Sequence, residues 1–222
     1  MRMVAVFEKS ERLRHIGHLD ILRAMQRALR RAGLPVAYSN GFNPHILLYF
    51  ASALQVGAVG CNELMEVTLR ETVTPEAFLA AMNRALPPEM QLKRCFEAEA
   101  GRPALMAQVL AQQVDIHLLC EQPQRLIGQV NALLSRGSIP SVRKSKKGDK
   151  EVDIRPLIYQ LSAEADVLHA TLALTEHDSC KPDMLVRALA EQAGQDVPRV
   201  LVVRQHLLGR SEAGELVPLE QL

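Results

Sequence analysis

The chain has 222 residues and 26 Lys and Arg against 25 Asp and Glu, a formal charge of +1, so it is no polycation built for indiscriminate nucleic-acid binding, and such contacts must come from local patches. Its length suits two domains of about 100 residues each. The four cysteines, Cys61, Cys95, Cys120 and Cys180, form no Cys-x-x-Cys pair for a zinc or iron–sulfur site, the opening apolar run is too short for a signal sequence, and no stretch approaches the roughly 20 apolar residues of a membrane helix.

Reduced thiols in a soluble, cytoplasmic protein with no membrane contact are therefore expected. In chain order, "RMVAVFE" alternates as a strand, and "HLDILRAMQRALRRAG" reads as a helix from about 18 to 33, stopped by Gly33 and Pro35. Asp20 in its first turn complements the helix dipole, although Gly17 supplies no capping hydroxyl. "LPVAYS" and "ILLYF" follow as strands around a turn, and a Gly-rich connection leads to the strand "LMEVTLRE". A helix begins at Thr74 with Pro75 at its first position, and "MQLKRCFE" closes the unit.

The second half repeats the order. Strand "QQVDIHLLC", helix "QPQRLIGQVNALLSRG", strands around "KEVDIRPLI" and "VLHATLALT", a helix from about Lys181 and strand "PRVLVVRQHLL" follow one another. "ALRRAG" is echoed by "ALLSRG", and "TPEAFLAAM" by "KPDMLVRAL", each roughly 105 residues later. Two βαββαβ units mean an α+β protein of two tandem ferredoxin-like domains, residues 1–101 and 102–222, split near Gly101, Arg102 and Pro103.

"YSNGFNPH", residues 38–45, holds more directional side chains than a connector needs. Asn-Gly and Asn-Pro make the turn, whereas Tyr38 and Phe42 can stack a base, and Asn40 and Asn43 can bond its edge. Tyr38, Asn43 and His45 are expected to project toward the helix start near His18. Arg23, Arg27, Arg30 and Arg31 recur on one helix face, opposite Ile21, Met25, Ala28, Leu29 and Ala32, with Lys9, Arg12 and Arg14 upstream. Arginine's planar fork suits phosphate, so this face is a candidate RNA contact. A second basic patch, Arg143, Lys144, Lys146, Lys147 and Arg155, reads as a hairpin that grips a phosphate backbone.

His18 and His45 are weak catalytic candidates, and His18 on the apolar side of its helix reads better as a pocket wall. Asp20, His18, His45 and Glu63 share no regular metal-ligand spacing, so no metal is expected. No phosphate-binding glycine loop follows a strand and no Gly-x-Ser-x-Gly elbow is present; no cofactor is expected.

"HLDILRAMQRALRRAGLPVAYSNGFNPHILLYFASALQVGAVGCNELMEVTL", together with "KGDKEVDIRPLI" in the second half, resembles the uncharacterised radical-SAM-linked, or radical-SAM-associated, protein family, a domain of unknown function. The resemblance covers almost the whole chain. Gly17 stands where the family tends to carry a hydroxyl residue, while His18 and Asp20 match. It implies partnership with a radical SAM protein, separate or fused in relatives. This chain lacks the Cys-x-x-x-Cys-x-x-Cys that would hold a [4Fe–4S] cluster, so the resemblance is to the partner of that chemistry. The expectation is an accessory protein that recognises structured RNA, tRNA or rRNA. The alternatives are a metal-independent ribonuclease using His18 or His45, and a docking partner without RNA contact.

Overall fold

The computed structural model describes residues 1–143, 148–175 and 177–222. They form a mixed α+β fold that divides into two compact units, Met1–Val109 with Gly209–Leu222, and Leu110–Leu208. The segment from Gly209 onward, expected with the second domain, clusters with the first unit.

In the first unit, β1 (Arg2–Lys9) is followed by α1 (His18–Arg31), β2 (Leu48–Phe50), β3 (Val59–Thr68), α2 (Pro75–Ala85), β4 (Leu92–Glu97) and the short α3 (Leu105–Gln108). β1 pairs antiparallel with β3 on one side and β4 on the other. Val67 pairs with both Met3 and Leu48, which places β2 on the far edge of β3. The strand expected over "LPVAYS" is reduced to two isolated bridges, Val36 to Leu69 and Tyr38 to Ile46. Pro35 and Pro44 have no N–H to give a ladder, so regular pairing resumes only at Leu48.

The helical stripe read from the sequence is the one that packs. Ile21, Met25, Ala28 and Leu29 of α1 are buried in one cluster with Met3, Ala5 and Phe7 of β1 and Phe78 and Met82 of α2. The hydroxyl of Thr74 accepts the Ala77 N–H at 3.2 Å, ahead of Pro75, as a helix start of this composition should.

In the second unit, β5 (Ala111–Leu119), α4 (Pro123–Ile127), α5 (Val130–Leu134), β6 (Pro140–Arg143), β7 (Lys150–Asp153), β8 (Ile158–Glu164), β9 (Val167–Ala173), α6 (Pro182–Ala193) and β10 (Arg199–Arg210) follow in turn; β11 (Leu216–Pro218) comes after them in the chain. β5 lies between β10 and β9, and β8 flanks β9, all antiparallel. Two expectations change here. The helix expected over 122–137 is two short helices that part at Gly128, a residue costing about 1 kcal/mol in a helix interior. The strand expected at "KEVDIRPLI" splits as well. Lys150–Asp153 pairs only with β6 as a two-stranded ribbon, Arg155–Leu157 turns because Pro156 cannot donate, and the sheet strand is Ile158–Glu164. The Asp153 carboxylate fixes that turn by accepting the Ile139 and Arg155 N–H groups at 2.8 and 2.9 Å. Those two bonds hold its carboxyl below the usual range. Among the described residues no helix is long and apolar enough to cross a membrane.

Candidate functional site

Two features of the first unit concentrate functional groups. The first is a recess where α1 begins, walled by Phe7, Ile16, Ile21, Phe50 and Leu54 and carrying the polar heads of Lys9, His18, Ser52 and Glu63. A break in strand register builds it. From Phe7 to Lys9, β1 takes two steps while β3 takes three, from Glu63 back to Gly60. The extra residue is a bulge, and it carries Gly60 and Glu63 to the same side although they are three positions apart. Gly60 has to be a glycine, because a Cβ there would stand 2.5 Å from Glu63 Cγ and 2.7 Å from Oε1.

Lys9 and Glu63 are 3% and 4% exposed, and opposite charges in one small space offset the cost of burying either. Lys9 was expected in the solvent-facing basic group. Its ammonium instead turns inward and donates to the Arg14 carbonyl at 2.9 Å, the same oxygen that accepts the Gly57 N–H at 2.7 Å. The lysine thus ties β1 to the segments on both sides of the recess. His18 packs edge-on against Phe50 at 5.2 Å, and Phe50 against Phe7 at 5.5 Å; His18 is a wall of the recess, as its place on the helix suggested. The recess encloses ≈ 20 Å³, room for about one water. Tyr38, Asn43 and His45, expected to aim at His18, are not among the residues that line it.

The second feature is the loop 38–45. His45 donates its N–H to the Ser39 hydroxyl at 3.1 Å, its Nδ1 meets the same hydroxyl at 2.8 Å, and the Ser39 N–H donates to the His45 carbonyl at 2.8 Å. Gly41 lies at φ +118°, a conformation that favours glycine. Between these braces Phe42 is completely exposed and Tyr38 41% exposed. Asn40 and Asn43 are exposed too, and neither side chain has a hydrogen-bond partner among the described residues. His45 therefore serves the loop's own structure, while the two aromatics and two amides are left to solvent.

The basic face of α1 is thinner than its sequence suggests. Arg31 donates to the Ala85 carbonyl at the end of α2 at 2.6 Å, and Arg23 pairs with Asp20 at 3.0 Å. Upstream, Arg12 pairs with Glu89 at 3.4 Å, and Arg14 pairs with Glu11. Arg27 and Arg30 remain exposed with no partner among the described residues. In the second basic patch, Arg143 donates to the His177 and Ser179 carbonyls at 3.1 and 2.8 Å, and Arg155 to the Leu134 and Ile158 carbonyls at 3.0 and 3.4 Å. These guanidinium groups staple loops of the second unit. Lys144, Lys146 and Lys147 lie outside the described residues.

Sequence reading missed Ser52 and the inward turn of Lys9. The trace available for Lys9 was its place at the end of the alternating run 3–9, where Met3, Ala5, Phe7 and Lys9 share a face. Among the described residues no cluster of three or more His, Cys, Asp or Glu could hold a metal ion.

The chain belongs to the family described as "Uncharacterized protein conserved in bacteria (DUF2344)", which matches residues 2–194. The match takes in both features of the first unit. No curated protein matches the chain.

Proposed function

We propose that this protein is a cytoplasmic RNA-recognition module, built of two ferredoxin-like units, that presents structured RNA, tRNA or rRNA, to a radical SAM enzyme. The carrying observation is Phe42, held completely exposed on a loop braced at Ser39–His45 and Gly41. An aromatic ring kept in water on a fixed loop, beside Tyr38 and the free amides of Asn40 and Asn43, suits stacking on an unpaired base and bonding to its edge. Arg27 and Arg30 supply phosphate contacts on α1 of the same unit.

The ferredoxin-like reading draws support from strand order. In each unit the fourth strand of a βαββαβ series lies beside the first, the first beside the third and the third beside the second: β4, β1, β3, β2 in one and β10, β5, β9, β8 in the other, the second with the β6–β7 ribbon inserted. The radical SAM partnership rests on the resemblance carried by residues 18–69.

Filter binding of bulk tRNA and of rRNA fragments at two salt concentrations tests the reading. Phe42→Ala weakens binding by the roughly 1–3 kcal/mol of a lost base stack and leaves the salt slope unchanged. Arg27→Ala with Arg30→Ala lowers the slope by about 2, one for each phosphate contact. A protein that binds neither RNA class at low salt is a docking partner, and Phe42 then faces protein.

A further inference from the structure

The exposed face of the second unit's sheet carries a groove of ≈ 340 Å³ that the sequence reading did not single out. Strand alternation builds it. Ile116, Leu118, Leu168 and Leu172 point to the core, so the residues between them point away. Register then aligns them across strands. Ser162 of β8 stands opposite His169 of β9, and His169 opposite Asp115 of β5. One step along, Gln160 stands opposite Thr171, and Thr171 opposite Gln113. A register break between Arg204 and His206 turns Gln205 of β10 into the same groove.

The Asp115 carboxylate organises the first row. Its Oδ1 meets His169 Nδ1 at 2.6 Å and its Oδ2 accepts the Gln205 amide at 2.6 Å. The carboxylate only accepts, so Nδ1–H points at Asp115 and Nε2 is the ring nitrogen left to meet a ligand. The Ser162 hydroxyl and the Gln113 amide have no hydrogen-bond partner among the described residues. Among the described residues no Lys or Arg lines the groove.

We propose that this groove is a nucleoside-binding site, in which His169 Nε2 hydrogen-bonds a ribose hydroxyl, Gln113 and Gln160 read the base edge, and Asp115 is the positioning residue that fixes the imidazole. The absence of Lys and Arg among the described lining residues disfavours a phosphate group, and a carboxamide's paired donor and acceptor match a base edge. Its volume lies in the range of small-ligand sites. The choice of a nucleoside among neutral polar ligands rests on the RNA reading above.

The test is NMR of the full chain labelled at histidine. His169 is assigned by its loss in His169→Gln, and the protein is titrated with adenosine, guanosine, cytidine and uridine, with inorganic phosphate as control. At least one nucleoside moves the His169 ring signals saturably. Gln113→Ala, a surface change, weakens that binding roughly tenfold, the scale of one lost hydrogen bond, without moving the thermal midpoint. Asp115→Asn changes the His169 ring ¹⁵N shifts and weakens the nucleoside together, whereas a merely structural pair would change the shifts and leave the affinity alone. Ring signals unmoved by all four nucleosides at millimolar concentration, or moved equally by phosphate, overturn the site. If RNA binds with its Phe42 dependence while nucleosides leave His169 untouched, this site falls and the RNA reading stands; if nucleosides bind here and RNA binds nowhere, the site stands and the RNA reading falls.

Discussion

Gly60→Ala probes whether Glu63 is fixed in the recess or merely rests there. The new methyl would lie 2.5 Å from Glu63 Cγ, 2.8 Å from Cδ and 2.7 Å from Oε1, all far inside van der Waals contact. Cγ can clear the methyl only by rotation about χ1, and the buried side chain has no open solvent to turn into. Overpacking of this kind costs about 1–3 kcal/mol. The backbone itself accepts alanine, since Gly60 does not occupy the left-handed region. Once Glu63→Ala has removed the obstructing atoms, Gly60→Ala should therefore stabilise by about 0.4–1 kcal/mol through the unfolded chain. The sign of one substitution reverses with the side chain three residues away, and the coupling is about 1.5–4 kcal/mol. Urea unfolding of the wild type, both single variants and the double variant, followed by circular dichroism, measures it. Gly60→Ala that is neutral in the wild type, or equally costly in both backgrounds, refutes a Glu63 held against Gly60.

Cys95 and Cys180 are buried, and burial pushes both thiols up to about 12. At pH 8 they resist iodoacetamide in the folded chain while exposed Cys120 is alkylated, as peptide mass mapping will show. Because both thiols stay protonated in the fold after unfolded thiols have ionised, stability holds below about pH 9 and declines from there toward pH 12 in thermal melts across that range. Asp153 has the opposite sign: its lowered carboxyl stabilises above the ordinary carboxylate range and the contribution is lost as pH falls through it, a loss that Asp153→Ala abolishes in acid titration. Arg31→Ala lowers the melting temperature by removing the bond to Ala85, up to about 1 kcal/mol, whereas Arg27→Ala and Arg30→Ala leave it unchanged.

Much of the first unit was legible because its determinants are local. Thr74-Pro75 specifies a helix start by itself, and the apolar spacing of Ile21, Met25, Ala28 and Leu29 fixes which face of α1 is buried. What escaped depends on residues far apart in the chain. Asp153 and Pro156 turn a plausible single strand into ribbon, turn and then Ile158–Glu164, and the ribbon exists only because β6 is there to pair with it. His169 and Asp115 are 54 positions apart; each looks like an ordinary polar residue in an alternating strand until register sets them side by side. The β3 bulge that gathers Gly60 and Glu63 leaves no trace but the glycine itself.

The same distinction divides the residues of "YSNGFNPH". Composition alone ranks its polar and aromatic members equally, and a histidine in such a turn invites a chemical role. Hydrogen bonding separates them. Ser39 and His45 use each other's main-chain and side-chain groups to close the loop, and Gly41 supplies the backbone angle that closure needs. A side chain so engaged cannot also face a ligand with the same atoms. Phe42 and the two asparagines gain nothing from the fold in exchange for their exposure. Loss of the brace should therefore disorder the loop and lower stability and binding together, whereas loss of Phe42 or Asn43 should lower binding alone. On the RNA reading proposed above, the contacts of this turn come from the residues that the structure leaves unsatisfied, and the histidine's part is to hold them there.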